Sequence, residues 1–153
     1  MLSDLLKEKH ILRNAHVPDW ETAIRCSGEL LVNSGSVEPS YVDKMVEISK
    51  EAGPYIVIVP GVALAHARPT DGVNELALSL VTLAEPVCFG NADNDPVRVV
   101  ISLAAADSVS HLDVLRNLVQ FINHTQNIDA LCQCNTNKAV QELIRRFECT
   151  ECA

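Results

Sequence analysis

His66 closes the apolar run Pro60-Gly-Val-Ala-Leu-Ala-His66, and Arg68, Pro69 and Asp71 follow at once. A neutral imidazole is well populated at pH 7, because its unperturbed pKa is about 6.5. Its free ring nitrogen can attack phosphorus and carry a phosphoryl group when an acceptor holds the opposite nitrogen. That chemistry also needs donors around the phosphoryl oxygens and an apolar surround that limits hydrolysis. Val62, Ala63, Leu64 and Ala65 can form the apolar wall. The planar guanidinium of Arg68 suits phosphoryl oxygens. The same residues fit a structural role equally well, with a strand-terminal histidine bonded to backbone.

His111 is the second candidate. Ser110-His111-Leu112-Asp113 has the form of a capping signal ahead of an amphipathic helix, which predicts His111 in a first helical turn. Unpaired N–H groups and the positive dipole end lie there, favouring an anion and disfavouring imidazolium. A neutral His111 can donate an N–H to a phosphoryl group on His66. An exposed first-turn histidine with no such task fits the local sequence as well. His10, His16 and His124 have no comparable context.

The elements that must position these residues are legible in the periodicity. Asp19 predicts a cap for a helix over 20–33, with Trp20, Ala23, Ile24, Leu30 and Leu31 on its apolar face. Gly28 inside it costs roughly 1 kcal/mol against Ala, which predicts close packing at that point. A second helix runs from Pro39 to Ala52, with Val42, Met45, Val46 and Ser49 inward and Gly53-Pro54 as its stop. Strands are expected over 10–17, 55–59, 62–65, 76–83 and 97–104. The strands ending at Ala65 and beginning at Leu76 are expected to pair antiparallel, with 66–75 at the hairpin's mouth. Two further helices carry Leu115, Leu118, Val119 and Ile122, then Val140, Leu143, Ile144 and Phe147. This order predicts an α/β fold, a mixed central sheet sandwiched by helices on both faces. One domain over 1–147 and a short tail over 148–153 are expected.

Composition bounds the function. The chain of 153 residues suits one domain, and 48% hydrophobic residues with only 4% aromatic predict an aliphatic core. A net charge of -8 argues against nucleic acid as a partner and suits a basic protein face. No apolar run approaches the roughly 20 residues of a membrane span, and the N-terminus lacks a signal peptide's apolar region. A cytoplasmic protein without membrane insertion is expected, with its six cysteines as reduced thiols. Cys132-x-Cys134 and Cys149-x-x-Cys152 lack the partner spacing of a zinc site, so no metal is expected and Cys149 and Cys152 receive no role. Phosphate-loop, dinucleotide, zincin and serine-hydrolase patterns are absent, and no cofactor is expected. Asn91, Asp93 and Asp95 resemble the start of a calcium loop, but Pro96 and Ser102 stand where Gly and Glu are required. The segment reads as a turn between strands.

The stretches GPYIVIVPGVALAHARPTDGV, LVTLAEPVCFGNADNDPVRVVISLAAADSVSHLDVL and CNTNKAVQELI together resemble the IIA components of the bacterial phosphoenolpyruvate-dependent sugar phosphotransferase system. The H-A-R-P after P-G-x-A, the N-D-P-V turn and the D-x-x-S-H segment carry the likeness. It lies within the mannitol/fructose-type family and closest to its ascorbate branch. The resemblance implies that His66 accepts a phosphoryl group from the phosphocarrier HPr and passes it to a cysteine of a cognate IIB component. It implies His111 as the second active-site histidine and Arg68 as the branch's arginine. It also implies Lys50 as the basic residue near the end of the helix before the active strand. A regulatory phosphoprotein of the nitrogen-related branch, with the same fold, is the alternative. A metal module using His66, His111 and cysteines is a second. The transported sugar is implied by the branch, ascorbate, rather than by any residue, and a homodimer is compatible with the sequence.

Overall fold

The computed structural model describes residues 2–152, with the backbone alone at 108, 110, 111, 151 and 152. Among the described residues five strands form one sheet: β1 (Ile11–Ala15), β2 (Val57–Val59), β3 (Val62–His66), β4 (Ala77–Val87) and β5 (Val97–Ala104). Their spatial order is β1-β4-β5-β3-β2. β1 runs parallel to β4, and β3 runs parallel to β5. The β4–β5 and β2–β3 pairs are antiparallel. The sheet is therefore mixed, as expected.

The described residues form the helices α1 (Leu2–Leu5), α2 (Trp20–Asn33), α3 (Pro39–Ala52), α4 (Ser108–Ile122), α5 (Thr125–Gln133) and α6 (Asn137–Cys152). α2 and α3 cover one face of the sheet, and α1 with α4 to α6 contribute to the core on the other. The faces differ in side-chain size. Ala63, Ala65, Ser79 and Ser102 point toward α2 and α3, whereas Val62, Leu64, Leu78, Leu80, Ile101 and Leu103 point away. Small sheet residues let α2 approach closely. Ser27 meets Ser102 hydroxyl to hydroxyl, and its carbonyl accepts from Ser79 at 2.7 Å. The expected tight contact at Gly28 is present: a Cβ there would lie 2.7 Å from Val42 Cγ2.

The two predicted N-terminal helices agree with the structure at both ends. Asp19 accepts from the Thr22 N–H at 2.8 Å, and Pro39 opens α3. The hairpin expected between β3 and β4 does not form. The two strands do run in opposite directions, but β5 lies between them. β5 is buried on both faces for nearly its whole length, which suits the centre of a sheet. Its hairpin partner is β4, through the turn at 88–96. Closeness in sequence, a good guide to pairing in most cases, misleads here.

Further differences are local. The expected strand over 55–59 shortens to β2, because Pro54–Ile56 form a single 3-10 turn. β2 is an edge strand, and the Asn91 and Asn94 side-chain amides both donate to the Val57 carbonyl. The 89–95 segment is the expected turn, with the Asp95 carboxylate accepting from the N–H groups of Phe89, Gly90 and Asn91. Three helices, rather than two, follow β5. α5 buries only Ile128 and Leu131, too sparse a stripe to show in the sequence. Val119 faces out at 38% exposure, and Phe121 fills the core instead. Residues 148–152 continue α6 rather than forming a tail. Glu148 is buried there and accepts from the N–H groups of Leu2 and Ser3 at 2.8 and 3.0 Å. Among the described residues no helix is long and apolar enough to cross a membrane.

Candidate functional site

His66 is the last residue of β3. The four residues before it, Val62 to Ala65, are buried, and the imidazole itself is exposed. The strand's alternation is hidden because both of its faces are covered, so burial ends only where the strand leaves the sheet. His66 stands in register with Leu103 of β5. Beside it lies a small cleft of about 20 Å³, lined by His66, Ala67, Pro69, Leu103 and Ala105. All five are apolar apart from the histidine, and the volume is near that of one water molecule.

The loop after His66 is pinned at several points. Arg68 is 72% exposed at its side chain and Asp71 only 14%. The Asp71 carboxylate accepts from the Arg68 N–H at 2.9 Å and lies 3.5 Å from the Arg68 Nε. The guanidinium is thus tethered to the loop and remains open to solvent. Gly72 adopts φ +126° against the start of α3. A Cβ there would sit 3.0 Å from Ser40 Oγ and 3.3 Å from Glu38 Cβ, so the position demands glycine on two counts. The Glu38 N–H donates to the Gly72 carbonyl at 2.8 Å, which ties the loop to the α3 N-terminus.

Tyr41, in the first turn of α3, is fully buried and reaches the same place. Its hydroxyl accepts from the Ala67 N–H at 3.0 Å and donates to the Leu103 carbonyl at 2.6 Å. Burial pushes the phenol up to about 12, against the opposing effect of the Ala67 hydrogen bond. The sequence reading of α3 named Val42, Met45, Val46 and Ser49 and passed over Tyr41. A tyrosine four residues before Met45 and eight before Ser49 shares their stripe, and a buried phenol usually finds a partner.

His111 is the fourth residue of α4, in its first turn. The helix begins at Ser108, so Ser110 lies within it and is not its cap. α4 follows β5 directly, and its start therefore lies at the same end of the sheet as His66, the partner of Leu103. The His111 side chain is outside the described residues. Val109 and Leu112, on that first stretch of α4, are exposed at 71% and 59%.

Lys50 does not join this group. It lies in the last turn of α3, nine residues beyond Tyr41, or about 13 Å along the axis. Its ammonium is 3.0 Å from Glu21, whose carboxyl it holds below the ordinary range together with Arg25. It lines a separate pocket of about 230 Å³ with Trp20 and Phe89. Phe89 lies just beyond Val87, which pairs with Val97 at the start of β5, whereas His66 pairs near its end. The pocket and the imidazole are thus at opposite ends of the sheet. In sequence Lys50 is nearer than Tyr41 to the strands that follow, yet the fold turns the N-terminal end of α3 toward His66.

The cysteines also stand apart. Burial pushes the Cys132 and Cys134 thiols up, and the Cys134 Sγ donates to the Ala130 carbonyl. Among the described residues no three His, Cys, Asp or Glu side chains come together as a cation site.

Known proteins share this fold. The family described as "Phosphoenolpyruvate-dependent sugar phosphotransferase system, EIIA 2" matches residues 4–147. The ascorbate-specific PTS system EIIA component of Escherichia coli (strain K12) is 38% identical over 143 residues, covering 93% of each chain. A PTS IIA (PtxA) crystal structure from Streptococcus mutans superposes with a TM-score of 0.85 at 34% identity, over 94% of this chain and 92% of that one. The IIA mannitol protein of Escherichia coli, solved in complex with phosphorylated enzyme IIB, superposes with a TM-score of 0.81 at 28% identity, over 92% of this chain and 99% of that one. With the family pattern running from α1 to α6 and the same sheet and helices beneath it, the chain belongs to the EIIA 2 family of the phosphoenolpyruvate-dependent sugar phosphotransferase system.

Proposed function

We propose that this protein carries a phosphoryl group on His66, accepting it from phospho-HPr and handing it to a cysteine of a cognate IIB component. The observation that carries the reading is the exposed imidazole at the end of a buried strand, beside a small apolar cleft and the open guanidinium of Arg68. The donor's phosphorus–nitrogen bond breaks as a new one forms to the unprotonated ring nitrogen of His66. In the second step that bond breaks as the IIB thiolate takes the phosphoryl group. Each step needs the two nucleophiles in line and close, so an imidazole on an accessible surface is what the chemistry demands. Arg68 steadies the phosphoryl oxygens, and His111, in the first turn of α4, supports the group by donating an N–H. Lys50, at the far end of α3, is left out of the site.

Docking is served by the exposed Val109 and Leu112 near His111, and by a net charge of -8 that suits a basic partner face. The names of the 38% identical relatives favour ascorbate as the transported sugar and transport over regulation.

Intact-protein mass after incubation with phosphoenolpyruvate, enzyme I and HPr tests the reading. Wild type gains one acid-labile phosphoryl group and His66→Ala gains none. His111→Ala gains the group but passes it to IIB more slowly. An unchanged mass for wild type beside a working HPr, or a His66→Ala variant that is still labelled, overturns the assignment.

A further inference from the structure

The reading of His66 as the phosphoryl acceptor gives no task to Tyr41, a fully buried titratable group. The Tyr41 hydroxyl stands between the Ala67 N–H and the Leu103 carbonyl, at 3.0 and 2.6 Å. Ala67 follows His66, and Leu103 is the residue paired with His66. In a parallel ladder the next bond would run from that N–H to that carbonyl. Here a phenolic oxygen is inserted in its place. The strands β3 and β5 are therefore held apart by one oxygen at the point where the imidazole emerges. The small cleft beside His66 has Ala67 and Leu103 in its wall, so it opens where the strands are spread. The Ala67 carbonyl lies 3.3 Å from the same hydroxyl. The single phenolic proton goes to the shorter contact at Leu103.

Tyr41 is rigidly placed for this. It is fully buried, it sits in the first turn of α3, and a Cβ added at Gly72 would lie 3.5 Å from its own Cβ. Burial favours the neutral phenol, so the hydroxyl keeps both hydrogen bonds through the physiological range.

Resting on the assignment of His66 as acceptor, we propose that Tyr41 is a positioning residue for phosphoryl transfer, its hydroxyl setting the gap between Ala67 and Leu103 and so the approach line of the His66 imidazole. It touches neither donor nor phosphoryl group. Misplacing a nucleophile by about 1 Å can cost about a hundredfold in rate.

The test is the steady-state rate of phosphoryl uptake from phospho-HPr, resolved into kcat and KM, for wild type, Tyr41→Phe and Ser40→Ala. Ser40 touches the same loop through the Asp71 carbonyl but not the strand gap. Tyr41→Phe is expected to lower kcat by roughly ten- to a hundredfold with KM unchanged and to reach the same one-group endpoint on His66, whereas Ser40→Ala is expected to keep the wild-type rate. A wild-type kcat in Tyr41→Phe, or an equal loss in Ser40→Ala, overturns the proposal. Hydrogen exchange on the wild-type protein is a second arm that needs no variant. The Ala67 amide is expected to exchange as slowly as the β3 amides, and rapid exchange overturns the gap-setting role. Failure of the wild type itself to take up the group would instead refute the underlying assignment of His66.

Discussion

At the level of single residues, the site depends on contrasts between neighbours. His66 is exposed while Ala65 is wholly buried, because the strand crosses from the sheet interior to its edge between them. Arg68 is open to solvent while Asp71, which anchors it, is largely covered. Tyr41 yields a pH dependence whose sign follows from its environment. Its folded pKa is raised from 10.0 to about 12, chiefly by burial. The unfolded chain therefore releases this proton first, so the stabilisation from the neutral phenol is complete below pH 10 and is lost as pH rises toward about 12. Thermal melts from pH 9 to 12 are expected to show a steeper alkaline loss of Tm in wild type than in Tyr41→Phe. Parallel curves would remove Tyr41 as a contributor.

At the level of elements, the decisive pairing is α3 with the loop that follows β3. The N-terminal turn of α3 holds that loop through Glu38, Ser40 and Tyr41, while its C-terminal turn holds Lys50 against Glu21. α3 in turn is seated on α2 at Gly28. Gly28→Ala would place a methyl 2.7 Å from Val42 Cγ2 and 3.0 Å from Met45 Cε. Overpacking of this kind costs about 1–3 kcal/mol. A fall in Tm of about 2–10 °C is expected by calorimetry. An unchanged Tm would mean that the two helices separate freely, and close packing would then not explain the glycine. The boundaries of α2 and α3 were legible because caps and stops are local signals, as Asp19, Pro39 and Gly53 illustrate. α5 was not, since its buried stripe is just Ile128 and Leu131.

At the level of the whole molecule, the two ends of the chain are fastened together. Glu148 of α6 accepts from the N–H groups of Leu2 and Ser3, which opens α1 with an anion at its positive end. Losing a charged acceptor of one buried and one half-buried donor costs about 2 kcal/mol. Glu148→Ala is expected to lower Tm by about 4–8 °C while phosphoryl uptake below the transition stays at the wild-type rate. A Tm equal to wild type would show that α1 docks without this contact. Family membership belongs to this scale too, since the match spans residues 4–147 and the fold agrees from end to end.

The sequence by itself determined the class of fold, the two N-terminal helices with their limits, the strand at 97–104 and the candidacy of His66. Each of these rests on local periodicity, on caps, or on the company one residue keeps in the chain. Only the tertiary structure decided that β5 separates β3 from β4, that Lys50 points to the wrong end of the sheet, and that Tyr41 stands beside His66. These facts join positions that lie far apart in the chain: Tyr41 meets Leu103, and Glu148 meets Leu2. The physical reason is that strand order and helix orientation are chosen by the burial of whole faces. A run such as Val97–Ala104, apolar on both sides, must go to the centre of the sheet, and every neighbour it acquires there follows from that choice.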